Sequence, residues 1–163
     1  MPTTYRPLAL SDPGSDPGSD PGSDPGSDLD SIATIHREAC LIAYAFMGWS
    51  YSWQECRDWY AGKLPEWDWG MIAVVDGEAA GYSAGMGTHL DQLFVHPRHQ
   101  GQGIGSGLMR AALDRTPPVE TLHVFAENAK ARRFYAQFGF REAGPVPDGD
   151  GAHLELVYRR SSP

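Results

Sequence analysis

Apolar residues recur with two different periods along the chain, and the switches between them lay out its elements. Ile32, Ile35, Ala39, Ile42 and Phe46 fall at helical spacing, with Asp28 or Asp30 available as a cap. A second helix is predicted over Trp53–Ala61, after Ser52. The period then shortens. Met71–Val75 and Ala79–Gly85 are apolar runs joined by Asp76-Gly77, a strong hairpin signal, and Thr88–Val95 reads as another strand ended by Pro97. Ile104, Leu108, Met109, Ala112 and Leu113 return to helical spacing and stop before Pro117-Pro118. Thr121–Ala126 reads as a strand, and Asn128 caps a helix running to Phe138 that Gly139 closes. A short strand near Phe140–Ala143 and the alternation of His153–Arg159 complete the series. With a strand ahead of the first helix, the order is β-α-α-β-β-β-α-β-α-β-β, an α/β fold with a mixed sheet and helices on both faces.

Residues 11–28 interrupt this pattern with four Ser-Asp-Pro-Gly units and a trailing Ser-Asp. Pro and Gly suppress regular structure there, and no apolar group is present to bury, so the tract is expected as an exposed loop. Removing Pro13–Asp28 on paper leaves Ala-Leu-Ser-Asp-Leu-Asp-Ser-Ile, a continuous strand, cap and helix start. The tract therefore reads as a low-complexity insertion in a single domain spanning residues 1–163. It lacks the Glu and the spacing of a calcium loop.

Charge changes the picture once the tract is separated. The net charge is −8, but the tract holds five Asp and no base; the remaining 13 basic and 16 acidic residues leave −3. No basic stripe supplies the phosphate contacts of a nucleic-acid binder. No run of about 18 apolar residues is present to span a membrane, and a cytoplasmic protein is expected. Cys40 and Cys56 show neither CxxC nor a matching His spacing, so buried thiols are expected, with no disulfide and no metal site.

The most informative segment is His96-Pro-Arg-His-Gln-Gly-Gln-Gly-Ile-Gly-Ser-Gly107, with four glycines at alternate positions between a strand and a helix. Such a backbone can turn tightly and present N–H groups to an anion, and the following helix adds its positive dipole end. This is the logic of a pyrophosphate site. A Rossmann fingerprint fails because Ser106 stands where its third glycine belongs, and a Walker loop fails because the segment has no Lys.

Gln100-Gly101-Gln102-Gly103-Ile104-Gly105 matches Gln/Arg-x-x-Gly-x-Gly/Ala, and Asn128 to Phe140 matches Asn-x-x-Ala-x-x-Phe-Tyr-x-x-x-Gly-Phe. On these two motifs the chain resembles the GNAT superfamily of acetyl-CoA-dependent N-acetyltransferases, over nearly its whole length except residues 11–28. The resemblance implies a central, mostly antiparallel sheet. It also implies a pyrophosphate held by the amides of Gly101, Gly103, Gly105 and Ser106, with Gln100, Gln102 and Ile104 in the same loop. Leu93, Phe94 and Val95 match the splayed strand end that receives the pantetheine arm and the thioester carbonyl, and Asn128 matches a contact to that arm. Tyr135 matches the general acid that protonates the departing CoA thiolate. His89 and Asp91, two apart on one strand face, match positions used in amine deprotonation, with Glu127 as the fallback base. The implied reaction is direct attack of a primary amine on acetyl-CoA through a tetrahedral intermediate, without a metal. A homodimer is compatible with the resemblance.

All five tryptophans lie within residues 49–69. In similar proteins this segment builds the acceptor pocket, so Trp49, Tyr51 and Trp53 are candidate contacts for a small-molecule or peptide amine. The loop Gly144–Gly151 is a second candidate rim. His96, His99 and His123 are expected as bystanders, and His36 on a solvated helix face. The rival reading is a non-catalytic acyl-CoA-binding regulatory module, which would bind without turnover.

Overall fold

The apolar alternation resolves into one sheet flanked by helices. In the computed structural model, which describes residues 2–10, 25–147 and 153–161, the elements are β1 (Thr3–Pro7), α1 (Pro25–Ala43), α2 (Trp53–Lys63), β2 (Trp69–Val75), β3 (Glu78–Met86), β4 (His89–Val95), α3 (Ile104–Leu113), β5 (Thr121–Phe125), α4 (Ala129–Ala136), β6 (Phe140–Pro145) and β7 (Glu155–Arg160). The expected order holds throughout. The strands lie side by side as β1-β2-β3-β4-β5-β7-β6, and every neighbouring pair is antiparallel except β4 with β5. Asp76 and Gly77 both take positive φ, 53° and 79°, the backbone a two-residue hairpin between β2 and β3 requires.

Alternation along the strands divides the core into two layers. Ile72 and Tyr82 pack with Ile32 and Ile35 of α1 and Tyr60 of α2. Their strand neighbours Ala73 and Val75 pack with Ile104 and Leu108 of α3 on the opposite face. β4 carries a bulge that matters for function: Ala84 faces Gln92 and Gly85 faces Leu90, so Asp91 is an extra residue. Leu90 and Leu93 consequently both pack with Met109 of α3 and its neighbours, while Phe94 packs on the α1/α2 side. His89, Asp91 and Gln92 open toward that second side.

Two expectations about the first helix are corrected. Pro25–Asp28, the end of the repeat tract, form the first turn of α1 rather than loop, so neither Asp28 nor Asp30 is its cap; residues 11–24 of the tract lie outside the described residues. Asp28 is buried, takes two hydrogen bonds from the Arg6 guanidinium at 3.0 and 2.7 Å, and accepts from the Ala9 amide at 3.0 Å. Ile42, in the last turn of α1, is 67 % exposed, and Phe46 lies beyond α1 in a separate turn, Ala45–Met47, and is 39 % exposed. Among the described residues no helix is long and apolar enough to cross a membrane.

Candidate active site

β4 and β5 pair at only two positions, His89 with Thr121 and Leu90 with Leu122, although both strands run on. A cavity of about 700 Å³ occupies the gap. Its walls are His89 and Asp91–Phe94 from β4, His123–Phe125 from β5, and Asn128, Ala131 and Tyr135 at α4; α1, α2 and the segment between them supply the aromatic end.

The glycine loop lies just past the end of β4 and does not itself line this cavity. Gly101 and Gly103 take φ of 79° and 80°, conformations that L side chains rarely adopt, and nothing lies within 4 Å of a Cβ built on either. Gly103 is the N-cap of α3 with no side-chain cap, so the first-turn amides of Ile104, Gly105 and Ser106 face a site that an anion can fill. The Ile104 side chain points the other way, into the core. Gln100 is a brace: its Nε2 donates to the Val95 carbonyl at 3.2 Å and its Oε1 accepts from Lys130 Nζ at 3.0 Å. Gln102 is exposed.

Tyr135 is buried, and burial pushes its phenol well above the ordinary range, so it stays protonated. Asn128 caps α4 by accepting from the Ala131 amide at 3.2 Å while also lining the cavity. His89 Nδ1 lies 2.9 Å from Thr121 Oγ1, and its ring centre is 4.7 Å from that of His123. Burial lowers the His89 pKa, with His123 and Lys63 acting in the same direction and Asp91 opposing.

Asp91 and His89 share a wall of the cavity but have different partners. Asp91 accepts from Trp67 Nε1 at 2.8 Å and lies 3.7 Å from Lys63 Nζ, and the group that orients His89 is Thr121. Strand alternation puts both residues on one face, where each side chain takes its own partner. Glu127, the fallback base, is outside the cavity and faces His153 Nδ1 at 3.3 Å.

On the acceptor side, Trp49 and Tyr51 line the cavity as expected, and Trp59 joins them. Trp53 does not, because its indole donates to Thr34 Oγ1 at 2.9 Å and holds α2 against α1. Trp67 and Trp69 are core residues. Of the Gly144–Gly151 loop, Gly144 and Pro145 close β6, and residues 148–151 lie outside the described residues. Cys40 and Cys56 are buried free thiols, as expected.

Two further histidines, His36 and His123, line the cavity, and His36 does not lie on a solvated helix face. His36 is at the centre of the aromatic end, 2.6 Å from the Tyr60 hydroxyl through Nδ1 and in ring contact with Trp49, Trp59 and Phe94. Burial pulls its pKa down to about 4. It is four residues after Ile32 and four before Cys40, so the helical period did place it on the buried stripe. His123 lines the cavity opposite His89, a pairing that only the β4–β5 register reveals. Among the described residues no group of three or more His, Cys, Asp or Glu side chains is placed to hold a metal ion.

Residues 68–155 match the family model of the acetyltransferase (GNAT) domain, a span that includes the bulged strand, the glycine loop and Tyr135. The chain belongs to the GNAT family. It is an acyltransferase, and the expectation of a GNAT fold is met. It is 30 % identical over 115 residues to peptidyl-lysine N-acetyltransferase YjaB of Salmonella typhimurium, covering 71 % of this chain and 78 % of that one. Its fold is similar to the solution structure of the apo form of YjaB from Escherichia coli, with TM-score 0.72, 22 % identity and full coverage of both chains. It is also similar to the PaiA N-acetyltransferase of Thermoplasma acidophilum in complex with coenzyme A, with TM-score 0.62, 19 % identity, and coverage of 98 % and 99 %.

Proposed function

We propose that this GNAT enzyme transfers the acetyl group of acetyl-CoA to a primary amine by direct attack through a tetrahedral intermediate. The observation that carries the reading is that His89 and Tyr135 open into one cavity between parting strands, beside an uncapped helix N-terminus. The loop fits the cosubstrate: left-handed backbone and open space at Gly101 and Gly103 let a pyrophosphate approach the amides of Gly101, Gly103, Gly105 and Ser106. Coenzyme A in the PaiA relative supports the same assignment. Gln100 holds the loop to β4 and α4, Gln102 stands at its exposed edge, and Ile104 anchors it from below.

Leu93, Phe94 and Val95 lie where β4 has lost its β5 neighbour. A backbone amide freed there would hydrogen-bond the thioester oxygen as negative charge develops on it. Asn128 flanks the same arm. His89, neutral at neutral pH because burial opposes its charge, takes the proton from the attacking ammonium, directly or through one water. Asp91 acts from the same wall on the approach of the cation, and its charge also partly offsets the lowering of the His89 pKa. The amine nitrogen bonds to the carbonyl carbon and releases its second proton to water, the carbon–sulfur bond breaks, and Tyr135 gives its proton to the leaving sulfur and regains one from solvent. Burial of the phenol keeps that proton in place until the thiolate forms.

Trp49 and Tyr51 receive the acceptor. The Salmonella relative's name as a peptidyl-lysine N-acetyltransferase supports the ε-amine of a peptide lysine as one acceptor class. We read residues 1–163 as one domain, supported by the sheet that joins β1 to β7, and free buried thiols support a cytoplasmic setting. The test is release of CoA thiol from acetyl-CoA with lysine peptides and simple alkyl amines. Release that follows the amine supports the reading; tight binding of acetyl-CoA with no release on any amine would return the regulatory module.

A further inference from the structure

The aromatic end of the cavity is suited to more positive charge than the reacting amine brings. Among the described residues the lining of the whole cavity carries four carboxylates, Glu55, Asp58, Asp91 and Glu155, and no Lys or Arg. Two of these are already answered, Asp91 by Lys63 at 3.7 Å and Glu155 by His123 at 3.4 Å. Glu55 and Asp58 contact neutral groups instead, the Ser52 amide at 2.7 Å and the Gln54 side-chain amide at 2.8 Å.

Aromatic rings beside these two carboxylates offer a cation a seat. Glu55, Asp58 and Trp59 share one face of α2 at i, i+3 and i+4. The Trp59 indole is half exposed and stacks over His36 at 6.2 Å and 20°. Trp49 meets His36 edge-on at 5.6 Å, and the exposed Tyr51 meets Trp49 edge-on at 5.3 Å. The Trp59 ring already attracts an ammonium, since Lys63 Nζ lies 5.8 Å from its centroid. A buried imidazole that stays neutral adds no opposing charge to this box.

We propose that Trp49, Tyr51 and Trp59, with Glu55 and Asp58, form a subsite for a second cationic nitrogen of the acceptor, one that is held and not acetylated. The acceptor chemistry is a flexible chain with two protonated nitrogens, found in an alkyl diamine and in a lysine beside another basic residue of a peptide. The inference rests on the acetyl-transfer reading above and deepens it. The α2 carboxylates and rings attract the distal charge, while β4 and Tyr135 receive the proximal amine.

The test compares initial rates of the full chain, with acetyl-CoA saturating, on 1,4-diaminobutane against n-butylamine, and on a lysine peptide flanked by Arg against one flanked by Ser. The doubly charged member of at least one pair is expected to show a KM about tenfold lower, and the pair that does identifies the source. The preference should shrink in 0.5 M salt and in the double variant Glu55→Gln, Asp58→Asn; glutamine preserves an acceptor for the Ser52 amide. Equal KM values within both pairs, with transfer still measurable, would overturn the subsite and leave the acetyl-transfer reading standing. A preference that survives in the double variant would also overturn it. No transfer to any of the four acceptors would remove both.

Discussion

His36 Nδ1 and the Tyr60 hydroxyl are 2.6 Å apart, and this contact fixes the character of the acceptor end. The Tyr60 hydroxyl also bonds that of Tyr82, and both phenols are fully buried. The Tyr60 hydroxyl also donates to Gln92 Oε1 at 3.3 Å, so the two phenols, the imidazole and that amide form one hydrogen-bonded group at the base of the acceptor end. With its pKa pulled down to about 4 by burial, His36 is a neutral wall, and His89 is the base we propose.

Burial of the His36 ring predicts how stability responds to acid. His36 has a folded pKa of about 4 against an ordinary 6.5, so the unfolded chain binds the extra proton between those values. Stability from the neutral ring is complete above pH 6.5 and is lost as pH falls toward 4, by up to about 3 kcal/mol. Urea midpoints between pH 7 and 4.5 should fall steeply for the native chain and less steeply for His36→Gln, which starts lower. Parallel slopes would reassign the acid sensitivity to other groups.

The position of His36 also marks where the sequence was informative. Periods of 2 and 3.6 specify elements and their order, because they follow from which face each segment buries. The glycine loop was legible for a similar reason: a backbone requirement at Gly101 and Gly103 is local. His36 was on the apolar stripe of α1, but a polar residue on such a stripe does not announce whether it is solvated or partnered. Its partners Tyr60, Tyr82 and Phe94 come from α2, β3 and β4. Trp53 erred in the opposite direction, since one hydrogen bond to Thr34 turns it from the cavity to a helix contact. The bulge at Asp91 depends on register with β3.

Tyr135→Phe removes one oxygen from a buried ring and leaves its packing on Phe134 and Phe140. If the phenol protonates the leaving thiolate, kcat should fall by about 10²-fold or more with little change in the KM for acetyl-CoA. Steady-state kinetics with both substrates varied would show this split. A variant with native kcat would reduce Tyr135 to a core residue.

His89 as base predicts the acid limb of the rate profile. Only the neutral imidazole accepts a proton, and burial lowers its pKa, so kcat/KM should hold its plateau to below pH 6.5 before falling. His89→Ala should lose about 10²-fold near neutrality and regain rate as pH rises and free amine becomes abundant. Thr121→Val, which removes the oxygen 2.9 Å from Nδ1, should shift the limb while sparing the KM for acetyl-CoA. An unshifted limb in all three proteins would assign it to another group.

Asp28 is the test of how the repeat tract meets the fold. Every unit of the tract carries an Asp, but Asp28 is buried in the first turn of α1 and linked to both Arg6 of β1 and the Ala9 amide. It holds the helix that carries His36 against the sheet edge. Asp28→Ala leaves the Ala9 amide without its acceptor and takes the carboxylate from Arg6, and should cost about 3 kcal/mol, the lower end for a broken buried pair because the Arg6 side chain is 30 % exposed. Asp28→Asn keeps an acceptor for Ala9 and should cost less. Denaturant titration of the two variants orders them. Equal losses would mean that the charge contributes nothing beyond the amide bond, and no loss in either would detach the tract's final residue from the stability of α1.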